Sequence, residues 1–107
     1  MHVVVVMPDT TDVIDEPAKH RFRYSEDGID AQLIYRADPG RLILIHTEVP
    51  EALEGRGIAG RLVRAAADRA RASGETVLPW CPYARKWLRD HPDVASTITI
   101  DWSDPPR

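Results

Sequence analysis

Residues 48–63 of the chain read EVPEALEGRGIAGRLV and place three glycines within six positions, at 55, 57 and 60. The letters G-R-G-I-A-G match the G-x-G-x-x-G spacing with which a glycine-rich turn holds a phosphate group. Each glycine costs backbone entropy, so three of them together require a structural or functional reason. That reason depends on the elements on either side of the turn, and these elements also decide the fold.

The segment before the glycines predicts three antiparallel strands. Residues 19–36, KHRFRYSEDGIDAQLIYR, have the pattern of a hairpin whose turn is Glu26-Asp27-Gly28 and whose return strand spans 29–36. A second turn at 37–40 leads to RLILIHTEV, residues 41–49, which we expect at the centre of the sheet because both of its faces carry large aliphatic side chains. Residues 3–6 predict one further short strand.

The segment after the glycines changes to a helical period. Ile58, Leu62, Val63, Ala66 and Ala70 fall on one face of a predicted helix that ends at residues 73–74. A short strand over 75–80, a short helix that opens on Pro82 and a last strand near 96–100 follow. The sequence therefore predicts a single α/β (α+β) domain over residues 1–107. Its sheet is mixed and mostly antiparallel, with a meander, a long helix after a glycine-rich loop, a strand and a short C-terminal helix.

Composition excludes several classes of function. A net charge of −3 and the lack of a basic run argue against nucleic-acid binding. The apolar run at residues 3–7 is too short for a membrane span or a signal-peptide core. One cysteine forms no internal disulfide, so we expect a cytoplasmic protein. No spacing of His, Cys and carboxylates indicates a metal site.

The glycine turn leaves two interpretations open. A dinucleotide-binding fold requires a much longer chain, and only about 33 residues follow the long helix. The free N–H groups of a glycine turn and a helix N-terminus nevertheless form an anion site, to which Arg56 and Arg61 add positive charge at the rim. Alternatively, the glycines only permit a tight turn and close packing of the helix. Their spacing alone does not decide between these two interpretations.

Several separated blocks together resemble a known family. These are the hairpin with Asp27-Gly28, H-T-E-V-P at 46–50, G-R-G-I-A at 55–59, P-W-C-P-Y at 79–83 and H-P at 91–92. From about Val13 to Pro92 the chain resembles small single-domain members of the GNAT acyltransferase superfamily, in the N-acetyltransferase-like group. Glu54 departs from the usual superfamily loop, which carries Gln or Arg there.

The resemblance implies that acetyl-CoA is the acyl donor. In the superfamily, the strand before the loop pairs with the pantetheine arm, and the loop and helix N-terminus bind the pyrophosphate of CoA. Carried over to this sequence, the implied cofactor-binding residues are Thr47, Val49, Gly55, Arg56, Gly57, Ile58, Ala59, Gly60 and Arg61.

Transfer of an acyl group from a thioester to an amine requires a base, donors for an oxyanion and an acid for the thiolate. Backbone N–H groups at 47–49 are candidate oxyanion donors, because Pro50 interrupts normal strand pairing there. His46 is a candidate base, since imidazole exchanges protons near neutral pH, but a partly buried histidine bonded to a carbonyl explains it equally well. Glu48 lies on the same strand face, where it would orient His46, act as base itself or simply be solvated.

Cys81 and Tyr83 open the last predicted helix. Cys81 lies where the resemblance places the arriving acetyl group, and a helix N-terminus favours its thiolate. It is a candidate nucleophile with His46 as partner base, or else a small buried hydrophobic residue. Direct transfer without an acyl-enzyme is the commoner route in the superfamily. Tyr83 resembles the residue that protonates the departing thiolate, or it is an amphipathic residue at the edge of the core.

These residues give a functional expectation with one alternative. We expect an N-acyltransferase that moves an acetyl group from acetyl-CoA to an unidentified amine, working as a monomer or weak homodimer without nucleic-acid or membrane partners. A non-catalytic module that binds acyl-CoA is the alternative, because so short a chain leaves few residues for an acceptor pocket.

Overall fold

The computed structural model describes residues 12–106, and within them six strands form one sheet. The strand predicted at residues 3–6 lies outside the described residues. The strands are β1 Val13–Glu16, β2 Arg21–Glu26, β3 Ile29–Asp38, β4 Arg41–Glu48, β5 Thr76–Pro79 and β6 Thr99–Ile100; the helices are α1 Ile58–Ser73, α2 Pro82–Asp90 and α3 Pro92–Ala95. Single 3-10 turns span Pro17–Lys19 and Glu51–Leu53.

The strands follow one another across the sheet in chain order. β1 to β4 pair antiparallel, whereas β5 pairs parallel with both β4 and β6. This confirms the mixed, mostly antiparallel sheet that was predicted, with β4 in its interior. The sequence did not predict β1 or α3. The predicted β3 was two residues too short, and the predicted β6 was longer than the two residues observed.

The hairpin between β2 and β3 forms as the sequence predicts. Asp27 and Gly28 have φ angles of 51° and 77°, and two consecutive residues with positive φ are what a tight turn between twisted antiparallel strands requires. Side chains then alternate along both strands, and one face of the hairpin is buried against α1. The buried residues of that face are Phe22, Tyr24, Ala31, Leu33 and Tyr35.

Helix α1 covers one face of the sheet. All five apolar positions predicted for its inner face are buried, and Ala65 and Ala67 extend that face on both sides. The helix ends at Gly74, whose φ of 80° lets its N–H bond to the carbonyl of Ala70. This packing leaves the opposite face of β1–β4 without α1, which matters for where the polar side chains of β4 lie.

A β-bulge in β4 decides which of its side chains face the helix. His46 pairs with Ile34 and Leu44 with Tyr35, so Ile45 is an extra residue between them. Thr47 pairs with Leu33, whose side chain belongs to the core beneath α1, and Thr47 therefore points to the same side as Leu44. If Ile45 were instead paired with Ile34 in a regular ladder, His46 would lie opposite Leu33 and point there.

Candidate active site

The sheet opens between β4 and β5. Their parallel ladder runs from Arg41 opposite Thr76 to Leu44 opposite Pro79 and ends there. The chain then turns away from β4, and the N–H of Cys81 makes a last bond of 2.8 Å to the carbonyl of Leu44. The edge of β4 beyond Leu44 consequently faces a gap between β4 and the start of α2.

A cavity of about 510 Å³ lies along this part of the chain. Its walls come from the end of β4, the turn after it, the glycine loop, the first turn of α1 and the start of α2. The lining residues are Thr47, Val49, Leu53, Glu54, Gly55, Gly57, Ile58, Ala59 and Tyr83. The structure thus brings seven of the predicted site residues to one cavity and adds Leu53 and Glu54. Leu53 was detectable as the one large apolar residue in the acidic segment EALE.

The glycine loop has the backbone conformation that its sequence suggests. Gly55 and Gly57 have φ angles of 80° and 71°, a region that residues with a Cβ rarely adopt. Gly57 precedes the first turn of α1 and offers no side chain to cap it. A helix leaves its first N–H groups without intrahelical acceptors, so those of Ile58, Ala59 and Gly60 are available to an anion.

Gly60 differs from Gly55 and Gly57, because a side chain at this position would meet another part of the protein. A Cβ at this position would lie 2.6 Å from Nε1 of Trp87, which is closer than real Cβ contacts. The absent side chain therefore lets α1 approach the indole of α2 rather than opening the loop to a phosphate. This contact supports the packing interpretation for Gly60, whose N–H is still among those available to an anion.

The two arginines predicted at the rim of the loop are both paired with carboxylates. Arg56 forms an ion pair with Glu26, and Nη1 of Arg61 lies 3.5 Å from Oδ2 of Asp12. With Arg64, they also border a second cavity of about 290 Å³ that reaches from Gly57 to the stacked rings of Trp87 and His91. Positively charged side chains therefore surround the N-terminus of α1, and the carboxylates paired with Arg56 and Arg61 neutralise part of that charge.

Cys81 lies behind the cavity wall. Its side chain is 3% exposed, and its sulfur is 3.3 Å from Oγ1 of Thr47. Tyr83, two residues along, lines the cavity and is 42% exposed. Burial, followed by the neighbouring Cys81, raises the pKa of Tyr83, so the phenol keeps its proton at neutral pH.

His46 and Glu48 lie on the other face of the sheet. As expected they are neighbours, with Nε2 of His46 3.3 Å from Oε2 of Glu48, and their side chains are 58% and 52% exposed. The structure does not bring His46 to Cys81, because the bulge at Ile45 sends the two side chains to opposite faces. The partner of Cys81 is Thr47.

The order of elements and the opened sheet are compatible with a GNAT-like acyltransferase fold. A family model described as GCN5-related N-acetyl-transferase matches residues 21–97, well over half of the chain. The protein therefore belongs to the GCN5-related N-acetyl-transferase family, and this membership supports acyltransferase activity in general. A comparison with curated proteins finds no significant match.

Two further observations concern residues 12–106. None of the helices there combines the length and apolar character that crossing a membrane requires. Over the same span, His, Cys, Asp and Glu side chains form no group of three or more that is arranged to hold a metal ion.

Proposed function

We propose that this protein transfers an acetyl group from acetyl-CoA to an amine acceptor. The observation that carries the proposal is the convergence of three features on one cavity: the open edge of β4, the glycine loop with the first turn of α1, and Tyr83. The cavity volume of about 510 Å³ is within the usual range for a site that binds a small molecule.

The three features match the chemistry of the donor. Past Leu44 the backbone of β4 faces the gap, where an extended arm that contains amides can pair as an added strand. The amides of Ile58 and Ala59, at the positive end of α1, suit a pyrophosphate. Arg56 and Arg61 would offset the charge of the phosphates and of Glu54 in the cavity wall.

The reaction would proceed by direct attack. The lone pair of a neutral amine attacks the thioester carbon, and N–H groups at 47–49 stabilise the oxyanion that forms. The carbon–sulfur bond then breaks, and the thiolate takes the phenolic proton of Tyr83 to give free CoA. The amine proton passes to His46, to Glu48 or to water, which leaves the acetylated amine, and Tyr83 regains a proton from solvent.

A covalent route through Cys81 is the alternative mechanism. In it the Cys81 sulfur attacks the thioester carbon, and CoA leaves as the thiol with the proton that Cys81 gives up. The amine then attacks the acyl carbon of acetylated Cys81, and the Cys81 sulfur leaves as the restored thiol. The slight exposure of Cys81 and its contact with Thr47, rather than with His46, favour the direct route. Intact mass spectrometry after incubation with acetyl-CoA separates the two, because only the covalent route adds an acetyl group that Cys81→Ala abolishes.

The proposed function is tested by calorimetry of CoA binding followed by acetylation of a panel of amines. We expect CoA to bind, at least one amine to be acetylated, and Tyr83→Phe to lower kcat by about 10²-fold without changing CoA affinity. Lys86→Ala is the matched control, since Lys86 lies on the same helix, is exposed and pairs with Asp90.

Two outcomes would contradict the proposal in different ways. Failure to bind CoA would remove the donor site and leave the glycines as a structural turn. Binding of CoA and acetyl-CoA with no transfer to any amine in the panel would instead favour the non-catalytic acyl-CoA-binding module.

A further inference from the structure

A chain of polar contacts crosses four strands on the sheet face opposite α1. Glu16 Oε1 accepts a bond of 2.7 Å from Arg21 Nε, and Arg21 Nη1 donates to Gln32 Oε1 over 3.1 Å. Gln32 Nε2 donates to Glu48 Oε1 over 2.6 Å, and Oε2 of Glu48 lies 3.3 Å from His46 Nε2. We refer to these five residues as the Gln32 ladder.

The strand register accounts for the ladder. Gln32 is directly opposite Glu48 in the β3–β4 pair. Arg21 of β2 lies two residues from Arg23, the direct partner of Gln32, and is therefore its diagonal neighbour on the same face. The bulge at Ile45 places Glu48 and His46 on this face. Each contact of the Gln32 ladder therefore joins residues that strand pairing places close together, and none of them depends on a flexible loop.

The chemistry of position 32 is specific to an amide of this length. A guanidinium only donates hydrogen bonds and a carboxylate only accepts them, so the oxygen of Gln32 must face Arg21 and its nitrogen must face Glu48. A Glu at position 32 would satisfy Arg21 but repel Glu48, and a Lys would do the reverse. Gln32 is thus the link through which the ladder orders the Glu48 carboxylate.

We propose that Gln32 is a positioning residue for the acceptor side of the reaction. It holds Glu48 against His46, so that the carboxylate accepts from Nε2–H and Nδ1 is left unprotonated to take the amine proton. This proposal rests on the proposed acetyltransferase function, in which an amine must lose a proton. The donor side, with Thr47 and Tyr83, lies on the opposite face of β4, and in this proposal the amine reaches the thioester past the end of the β4–β5 ladder.

The ordering of His46 is tested without reference to activity. Nitrogen-15 NMR of the imidazoles, at a pH where they are neutral, reports which ring nitrogen carries the proton, and His46→Ala assigns the signal. We expect the Nε2-protonated fraction of His46 to exceed that of exposed His20 in the wild type. In Gln32→Ala and Gln32→Glu it should fall to the level of His20. Asp30→Asn, on the same strand and face but bonded to Ser25, should leave it unchanged.

Equal tautomer fractions for His46 in the wild type and in Gln32→Glu would overturn the proposal. So would a wild-type fraction no higher than that of His20. Either result would show that the ladder does not order the imidazole, whatever the enzyme does.

Kinetics then test whether this ordering matters to transfer. With an amine that the wild type acetylates, Gln32→Glu should lower kcat about two- to tenfold, the equivalent of one net hydrogen bond, and leave KM for acetyl-CoA unchanged. An unchanged kcat would overturn the positioning role. A wild type that acetylates no amine would count against the proposed function, while the NMR result would still decide whether Gln32 orders His46.

Discussion

His46 and Thr47 are adjacent in β4, yet they face two different environments. Thr47 lines the cavity beside Cys81, whereas His46 lies in solvent beside Glu48. At the scale of single residues, the candidate site is therefore split by the sheet. The residues proposed to bind the donor lie on the α1 side of the sheet, and the groups that can take a proton lie on the opposite side.

Residue types predicted part of this site and missed part of it. Local turn and helix rules place the glycine loop beside the first turn of α1, whereas Tyr83 reaches the same cavity through the packing of α2. The separation of His46 from Cys81 was not predictable. Alternation along a strand predicts which face a side chain points to only if it is known whether the strand contains a bulge. Gln32 was missed because its role depends on partners in two other strands.

Gly60 gives a prediction about stability. Replacing a helical glycine by alanine normally stabilises by about 1 kcal/mol, but here the new Cβ would overlap the Trp87 indole, and such overpacking costs about 1–3 kcal/mol. We therefore expect Gly60→Ala to lower the free energy of unfolding, as measured by urea denaturation. In a Trp87→Leu background the same change should be neutral or stabilising. Equal losses in both backgrounds would contradict the packing explanation.

Tyr35 gives a prediction about alkaline pH. Burial, followed by its bond of 2.5 Å to Asp15, raises the pKa of Tyr35 from 10.0 to about 12. Between these two pH values the unfolded chain releases the phenolic proton while the folded chain keeps it, so the folded state loses relative stability as pH rises. This contribution is intact below about pH 10, and its loss amounts to at most ~3 kcal/mol by about pH 12.

Comparison with Tyr35→Phe isolates this effect, because burial also raises the pKa of Tyr83 and a bond to Glu26 raises that of Tyr24. The free energy of unfolding should fall less steeply with pH in the variant than in the wild type over this window. Parallel curves would show that Tyr35 does not retain its proton in the folded state.

At the scale of elements, strong local signals predicted most of the fold. The Asp27-Gly28 turn predicted the hairpin, and the 3.6-residue period predicted α1. β1 was missed because it is a four-residue edge strand, and α3 because it is a single turn after a proline. Such short elements form through tertiary contacts; β1, for example, is joined to α1 by the ion pair between Asp15 and Arg69.

The bulge in β4 leads to a prediction about CoA binding at the scale of elements. Deleting Ile45 would leave Thr47 opposite Leu33, but it would remove the bend that a bulge gives to β4 at the point where β4 and β5 part. We expect the deletion variant to lose CoA binding in calorimetry. Ile45→Val keeps the extra residue and should bind CoA as the wild type does. A folded deletion variant with unchanged CoA affinity would show that the bulge does not shape the opening between β4 and β5.

At the scale of the whole molecule, one sheet serves two purposes. The face beneath α1 carries the main hydrophobic core and one wall of the cavity, and the opposite face carries the Gln32 ladder. The cavity reaches from the edge of β4 to the first turn of α1, so a bound donor would join the strands to both α1 and α2. Binding is therefore expected to stabilise the fold as a unit.

This coupling leads to a prediction about unfolding of the full chain. Because one core connects α1 with strands β1 to β5, we expect a single cooperative transition, with calorimetric and van't Hoff enthalpies that agree. CoA at about 100 times its Kd should add about 2.7 kcal/mol and raise Tm by roughly 10 °C. In the Ile45 deletion the same CoA concentration should leave Tm unchanged. Two separate transitions, with CoA moving only one of them, would mean that the site and the rest of the sheet are independent units.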